Sequence, residues 1–289
     1  QGPLGVDRVS PDDVQRALDQ ALVTQHEQVG LQHRHRLALP GLLVTHWLLE
    51  RYALTPDETG LLGTATILVA ISFALLLGVV PFHTWVPVIT RDSAPLGSVF
   101  VLSVTNGAVW FVLFDFLETY PWLSSHPRFG PVMLSAGLVM VVLGGLIAAA
   151  QHRLGSLVGY AALADSGGAL IALSLGSQLG LTLLLFSLLT RPFGLILMAA
   201  GMSGLRGRSA DDHLDALRGA GYRAPWSTAA LVIGGLSMAG LPVSAGFAWR
   251  WALYRALVPA GSLGSALALL VASAGVMVAT GKPCIASPG

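Results

Sequence analysis

Hydrophobic residues in this chain gather into long blocks instead of alternating between a buried and a wet face. From residue 60 onward the blocks fall near 60–81, 96–117, 130–150, 156–176, 179–202, 226–248 and 262–280, separated by short polar or charged connections. A run of about 20 apolar residues is what a helix needs to cross the hydrocarbon core of a bilayer. The pattern predicts an all-α, polytopic transmembrane helix bundle with about seven crossings. Residues 37–54 form a shorter apolar stretch interrupted by His46, Glu50 and Arg51, which suits the tail of a spanning helix or an interfacial one. Residues 1–36 are polar, with a helical pattern in "SPDDVQRALDQALVTQHEQV" whose Ser10 and Asp12/Asp13 suit a helix start. The expected division is a polar N-terminal segment, 1–36, and a membrane domain, 37–289.

Composition agrees with the pattern. Of the 289 residues 54% are hydrophobic and 11% charged, and mean hydropathy is +0.69. A soluble domain carries about 25% charged residues, and so much apolar surface cannot be hidden inside a water-soluble body of this size. A net charge of +1 gives no nucleic-acid footprint. The single cysteine, Cys284, excludes a disulfide framework and a thiolate metal cluster. His33 and His35 in "LQHRHR" read as a solvated basic turn, because a metal site needs more ligands within reach. No signal peptide is visible. The chain does not open on Met, and "GKPCIASPG" stops just past an apolar run, so it is expected to be a fragment at both ends. The opening "QGPLG" resembles a protease-site scar as readily as it arises by chance.

Charge placement adds sidedness. One set of connections collects Arg91, Arg153, Arg206, Arg208, Arg218 and Arg223; the other collects Arg128, Arg250 and Arg255. The positive-inside bias places the first set in the cytoplasm. Asp165 and Arg191 fall well inside predicted crossings, and Arg250, two residues past the 226–248 block, is read with them. A charge at the bilayer centre costs about 2.5–3.5 kcal/mol on insertion scales, so such residues normally face the bundle interior and have a partner. Asp165 and Arg191 lie midway along successive helices and could stand side by side. They form either a structural ion pair or a station on an ion or proton path.

Two stretches break the helical pattern. "GVVPFHTWVPVITRDSAP" closes the first long block with Pro81, Pro87 and Pro95 and carries His83; "GLPVSAGF" interrupts the 226–248 block with Gly240, Pro242 and Gly246. Proline removes a helix hydrogen bond and glycine permits the bend. Exposed backbone at membrane depth is tolerated only inside protein or beside a wet cavity, and broken helices recur at transporter ion sites. A simple structural kink is the alternative. Glycine and small residues within "GLVMVVLGGLIAAA" and "DSGGALIALSLG" suit close helix–helix packing in lipid.

Three stretches together resemble one family: the antiporter-like membrane subunits shared by NADH–quinone oxidoreductase (complex I), membrane-bound hydrogenases and Mrp-type cation/proton antiporters. "VPFHTWVPVITRDSAP" is similar to the family's P-F-H-x-W-L-P-x-A-x-x-x-A-P turn. "HRLGSLVGYAALADSGG" is similar to its D-x-K-R-x-L-A-Y-S-S-I-x-x-x-G segment. "DDHLDALRGAGYRAPWSTAALVIGGLSMAGLPVSAGFAWRW" is similar to its D-L-x-G-L loop and the following helix with G-L-P-x-x-x-G-F. The resemblance runs from about Leu61 to Tyr254. It implies a subunit of roughly fourteen helices in two inverted repeats, each with a broken helix, of which this chain covers the second half. It also implies proton movement along buried lysines with a glutamate.

Here the chain departs from the pattern. Lys282 is its only lysine. The family's lysine positions fall on Leu76, near Asn106 and near Leu195, its paired K-R on Gly155 and Ser156, and its terminal lysine or glutamate on Arg250. Leucine carries no proton, and arginine keeps its own. Asp165, His83 and His152 are the titratable groups left near such a path. The implied function is therefore a membrane subunit of a proton-translocating NADH–quinone oxidoreductase-like or Mrp antiporter-like complex, with an impaired or rewired lysine relay. The alternatives are a stand-alone ion or inorganic-carbon uptake component and a non-functional gene fragment. No catalytic centre, cofactor motif or metal site of its own is expected. The expected partners are other membrane subunits, redox subunits where the parent complex is an enzyme, and lipid of the bacterial cytoplasmic membrane.

Overall fold

The computed structural model describes residues 38–51, 59–176, 178–207, 213–214, 216–217, 219–242, 244–259 and 261–282. The polar segment expected at 1–36, with His33 and His35, lies outside the described residues, as do Arg208, Arg218 and Cys284. The described residues form helices and turns. In lipid an open chain can satisfy its backbone hydrogen bonds only within a helix.

Residues 38–51 form α1. There follow α2 (Thr59–Leu77), a 3₁₀ turn (Phe82–Thr84), α3 (Trp85–Asp92), α4 (Pro95–Phe100), a π turn (Val101–Thr105), α5 (Asn106–Thr119) and the short α6 (Pro121–Ser124). The second half holds α7 (Phe129–Ala150), α8 (Leu154–Ser174), α9 (Gln178–Arg206), the short α10 (Ala220–Arg223), α11 (Pro225–Ala239), α12 (Phe247–Leu257) and α13 (Leu263–Gly281). Among the described residues six stretches are long and apolar enough to cross a membrane: Gly63–Asp92, Pro95–Thr119, Phe129–Ala150, Leu154–Ser174, Gln178–Arg206 and Leu263–Gly281. The broken pair α11–α12, whose α11 is a shorter apolar helix, takes the place of the crossing expected over 226–248. It leaves from the end at which α9 finishes and returns the chain to the opposite end, from which α13 sets out.

Two expected boundaries need correcting. The first long block does not end at residue 81 but continues through the turn into α3. Gly78 adopts φ +68 there, which a side chain resists, and Trp85 and Val86 pack against it. The block expected over 226–248 is two helices. α11 stops at Ala239, and a loop containing Gly240 and Pro242 leads to α12, which runs on to Leu257. The α11 end is a Schellman-type cap: Gly240 is left-handed at φ +69 and the Leu241 amide donates to the Leu236 carbonyl at 3.0 Å.

α8 is the central mast. Across its most apolar stretch it is 94% buried, because α3, α7, α9, α11 and α13 all pack on it. Small residues set the spacing. A methyl at Gly144 of α7 would stand 2.7 Å from the Ala164 amide nitrogen of α8, and one at Gly137 would stand 2.7 Å from the Gly167 carbonyl. Glycine lets the backbones approach where lipid offers no hydrophobic drive between helices.

The ends of the helices gather by charge. On one side Arg206 donates from Nη2 to the Arg91 carbonyl at 2.9 Å and from Nη1 to the Ser93 carbonyl at 3.4 Å. Lys282 donates from Nζ to the Ala149 and Gln151 carbonyls at 2.7 and 3.1 Å, so the only lysine caps the C-terminus of α7 at the membrane surface. Arg153 pairs with His213 through the backbone on the same side. Arg128 and Arg255 lie at the other side, at the start of α7 and in the last turn of α12. At that side His46 Nδ1 and the Tyr120 hydroxyl share a hydrogen bond of 2.9 Å, which joins α1 to the end of α5. Burial and then the Glu50 charge raise the Tyr120 hydroxyl above its ordinary range.

The α7–α8 seam makes a direct prediction. Gly144→Val should destabilise the purified protein by about 1–3 kcal/mol through overpacking. Gly97→Val, at an exposed α4 position with nothing within 4 Å, should change stability by less than about 0.5 kcal/mol. Thermal unfolding in detergent compares the two.

A buried charge cluster at mid-membrane as the candidate site

Three charged side chains meet inside the bundle. Asp165 stands near the middle of α8, Arg191 near the middle of α9 and Arg250 in the first turn of α12. Their exposures are 3%, 5% and 2%. Asp165 Oδ1 accepts from Arg250 Nη2 at 3.3 Å, and Asp165 Oδ2 lies 3.9 Å from Arg191 Nη1. The aspartate is therefore shared, with the closer contact to Arg250. The expectation that Asp165 and Arg191 stand together holds as proximity, but Arg250, 85 positions along the chain, is the nearer partner. Arg250 also does not belong with Arg128 and Arg255 at the membrane surface; it is buried at mid-depth.

Each arginine has a second anchor. Arg191 donates from Nη1 to Ser166 Oγ at 2.7 Å and from Nη2 to the Ala162 carbonyl at 3.3 Å. Arg250 donates from Nη1 to Ser273 Oγ at 3.0 Å, and its guanidinium carbon lies 5.2 Å from the centre of the Trp249 ring. A polar chain, Ser273–Arg250–Asp165–Arg191–Ser166, thus links α13, α12, α8 and α9. Ser166 and Ser273 escaped the sequence reading. A serine in an apolar helix usually bonds back to its own backbone, as Ser166 does to the Ala162 carbonyl at 3.1 Å.

The break before α12 builds this arrangement. Without it, α11 would run on and Arg250 would have no reason to point at α8. A methyl at Gly240 would fall on the Arg250 Cδ. Only glycine both accepts the left-handed turn and leaves room for the arginine stem. Gly246 lies against Ser237, whose Oγ accepts from the Gly246 amide at 3.2 Å. Pro242 is exposed on the outer side of the loop.

The remaining candidates lie apart. Pro81 precedes the turn carrying His83, whose Nδ1 is buried without a hydrogen-bond partner among the described residues. No hydrogen bond or ion pair among the described residues joins His83 to the cluster. Three positions matched to family lysines are non-ionisable here. Leu195 is fully buried in one core cluster, Leu76 packs half-buried against the other, and Asn106 is tied within its own helix by the Trp110 Nε1 donor at 3.0 Å. A cleft of about 580 Å³ between α5, α7 and α9 is lined by Phe111, Phe114, Asp115, Glu118 and Phe129 among others, and does not include the cluster. No group of three or more metal-ligating side chains occurs among the described residues.

The fold and site define a polytopic membrane bundle whose two broken helices flank a helix bearing a central charge. Residues 43–276 match the family described as NADH:quinone oxidoreductase/Mrp antiporter, TM, and the chain belongs to that family. It is 28% identical over 221 residues to NADH-quinone oxidoreductase subunit N 2 of Acidobacterium capsulatum, a match covering 73% of this chain and 44% of that one. The chain spans about half the length of the curated relatives it matches. Among solved structures it superposes on a chain of the Mrp complex from Dietzia sp. DQ12-45-1b with TM-score 0.81 and 20% identity, covering 92% of this chain and 52% of that one. It also superposes on a chain of respiratory complex I from Thermus thermophilus with TM-score 0.71 and 25% identity, covering 91% and 60%.

Double-mutant cycles test the cluster. Asp165→Asn should destabilise the protein by about 3–5 kcal/mol, because it strands buried cations. The coupling between Asp165→Asn and Arg250→Gln should lie near 1–3 kcal/mol and exceed that between Asp165→Asn and Arg191→Gln. Equal or absent couplings would remove Arg250 as the principal partner. Gly240→Ala, a change distant from Asp165 in sequence, should reproduce much of the Arg250→Gln loss.

Proposed function

We propose that this chain is the second antiporter-like half of a membrane subunit in a proton-translocating complex of the NADH–quinone oxidoreductase or Mrp antiporter type, in the bacterial cytoplasmic membrane. Its own lysine route is replaced by a fixed-charge clamp. The observation that carries this reading is Asp165 held between Arg250 and Arg191 at the depth where the family's relay would need groups that change protonation. Arginine does not release its proton in proteins. Leu76 and Leu195 leave gaps on either side. Asp165, Arg191 and Arg250 therefore tie α8, α9, α12 and α13 together and set the local field. His83 stands at the other break as an isolated titratable group. The breaks at Pro81 and Gly240–Gly246 aim side chains and do not open a path of their own. Redox chemistry, where the parent complex carries it, belongs to partner subunits, and this chain needs no cofactor.

The test uses the complex purified gently through this chain from native membranes and reconstituted in liposomes with a pH-sensitive dye. Asp165→Asn should reduce assembly of the complex. The double variant Asp165→Asn/Arg250→Gln should recover assembly and pump protons at the wild-type rate. A double variant that assembles fully but pumps several-fold more slowly would place the cluster on the proton route and overturn the clamp.

A further inference from the structure

The cluster is not electrically balanced. Two guanidiniums face one carboxylate, and no second carboxylate reaches either arginine among the described residues. The Nε–H groups of both Arg191 and Arg250 are buried without an acceptor among the described residues. Ser166 and Ser273, the other groups touching the guanidiniums, are neutral. Arg250 sits in the first turn of α12, an eleven-residue helix whose N-terminal end adds further positive potential. Gly240, at the end of α11, lies against the aliphatic stem of Arg250, and no hydrogen bond among the described residues joins an α11 carbonyl to its guanidinium. An unbalanced charge in a low-dielectric interior is costly unless something of opposite sign accompanies it.

From this geometry we infer that the Arg191–Asp165–Arg250 cluster binds one small monovalent anion, of chloride or bicarbonate size, at the unpartnered Nε donors. The inference rests on the fixed-charge reading of the cluster. With exposures of 2–5%, the arginines are closed to a carboxylate side chain from a neighbouring subunit. The counter-charge must be small enough to enter between helices. Arginine suits the role because it is weakly hydrated and presents its donors in a fixed fork. The anion offsets the excess charge and locks α12 against α8 and α9, so it acts as a structural ligand of the broken helix.

The intact complex is placed in sodium gluconate, whose anion is too large to enter, and chloride or bicarbonate is exchanged in at constant ionic strength. Either small anion should raise the unfolding temperature of the wild type saturably, by roughly 5 °C. Arg191→Gln and Arg250→Gln, which neutralise the excess charge, should each abolish the rise, and Asp165→Asn should lower the anion concentration needed for it several-fold. Chloride-35 line broadening by the wild-type protein, reversed by bicarbonate if both share the site, provides the same reading where a variant fails to fold. Neither broadening nor a temperature rise, or a rise undiminished in both arginine variants, would overturn the site. Proton pumping by the same vesicles is read separately. An anion effect absent from the wild type, with pumping intact in the double variant, overturns only this inference, whereas loss of pumping in the double variant overturns the clamp itself.

Discussion

One carboxylate shared by two guanidiniums at the centre of a bilayer constrains the rest of this structure. Asp165 cannot sit alone on a helix that is almost wholly buried, and neither arginine can remain unpaired there. The bundle is arranged so that they meet. α8 occupies the middle. α9 brings Arg191 to the same level from one side, and α12 starts beside it because α11 has stopped. The break is thus a means of delivering a charge. Gly240 supplies both the left-handed turn and the space for the Arg250 stem.

The same logic separates the two broken helices. At the α11–α12 break the unwound backbone aims a permanent charge at a partner. At the α2–α3 break it presents His83, whose Nδ1 has no hydrogen-bond partner among the described residues. Glycine seams between α7 and α8 let α8 be enclosed closely enough to bury its aspartate. Outside the bilayer plane, Arg206 and Lys282 cap carbonyls at helix ends and tie the bundle at one face. Among the described residues Arg206 and Lys282 thus close one face of the bundle, whereas Arg191 and Arg250 meet Asp165 inside it.

Much of this was legible in the residues. Uninterrupted apolar blocks fixed the helical class and the number of crossings, because lipid leaves the backbone few choices. Charges inside those blocks singled out Asp165 and Arg191, with Arg250 just past one of them, and the three motif stretches pointed to the family that residues 43–276 match. What stayed hidden was the pairing. Asp165 and Arg191 are neighbours in sequence order, whereas Arg250 reaches Asp165 only through the loop at Gly240, whose exit direction no periodicity encodes. The break at "GLPVSAGF" was legible from Gly240, Pro242 and Gly246, but the run of α12 beyond it to Leu257 was not. The partners Ser166 and Ser273 were hidden because serine in an apolar helix gives no sign of whom it meets. The role of Lys282 depends on where α7 ends relative to α13, a tertiary fact.

The central claim is that charge at mid-membrane is clamped here and not relayed. An experimental cryo-electron-microscopy map of the intact complex, at a resolution that shows ordered water, tests it most directly. The account predicts both guanidiniums on the Asp165 carboxylate and a dry, packed Leu195 between that cluster and any neighbouring polar group. A continuous file of water leading past Leu195 and joining Asp165 to His83, with either arginine turned away, would contradict it.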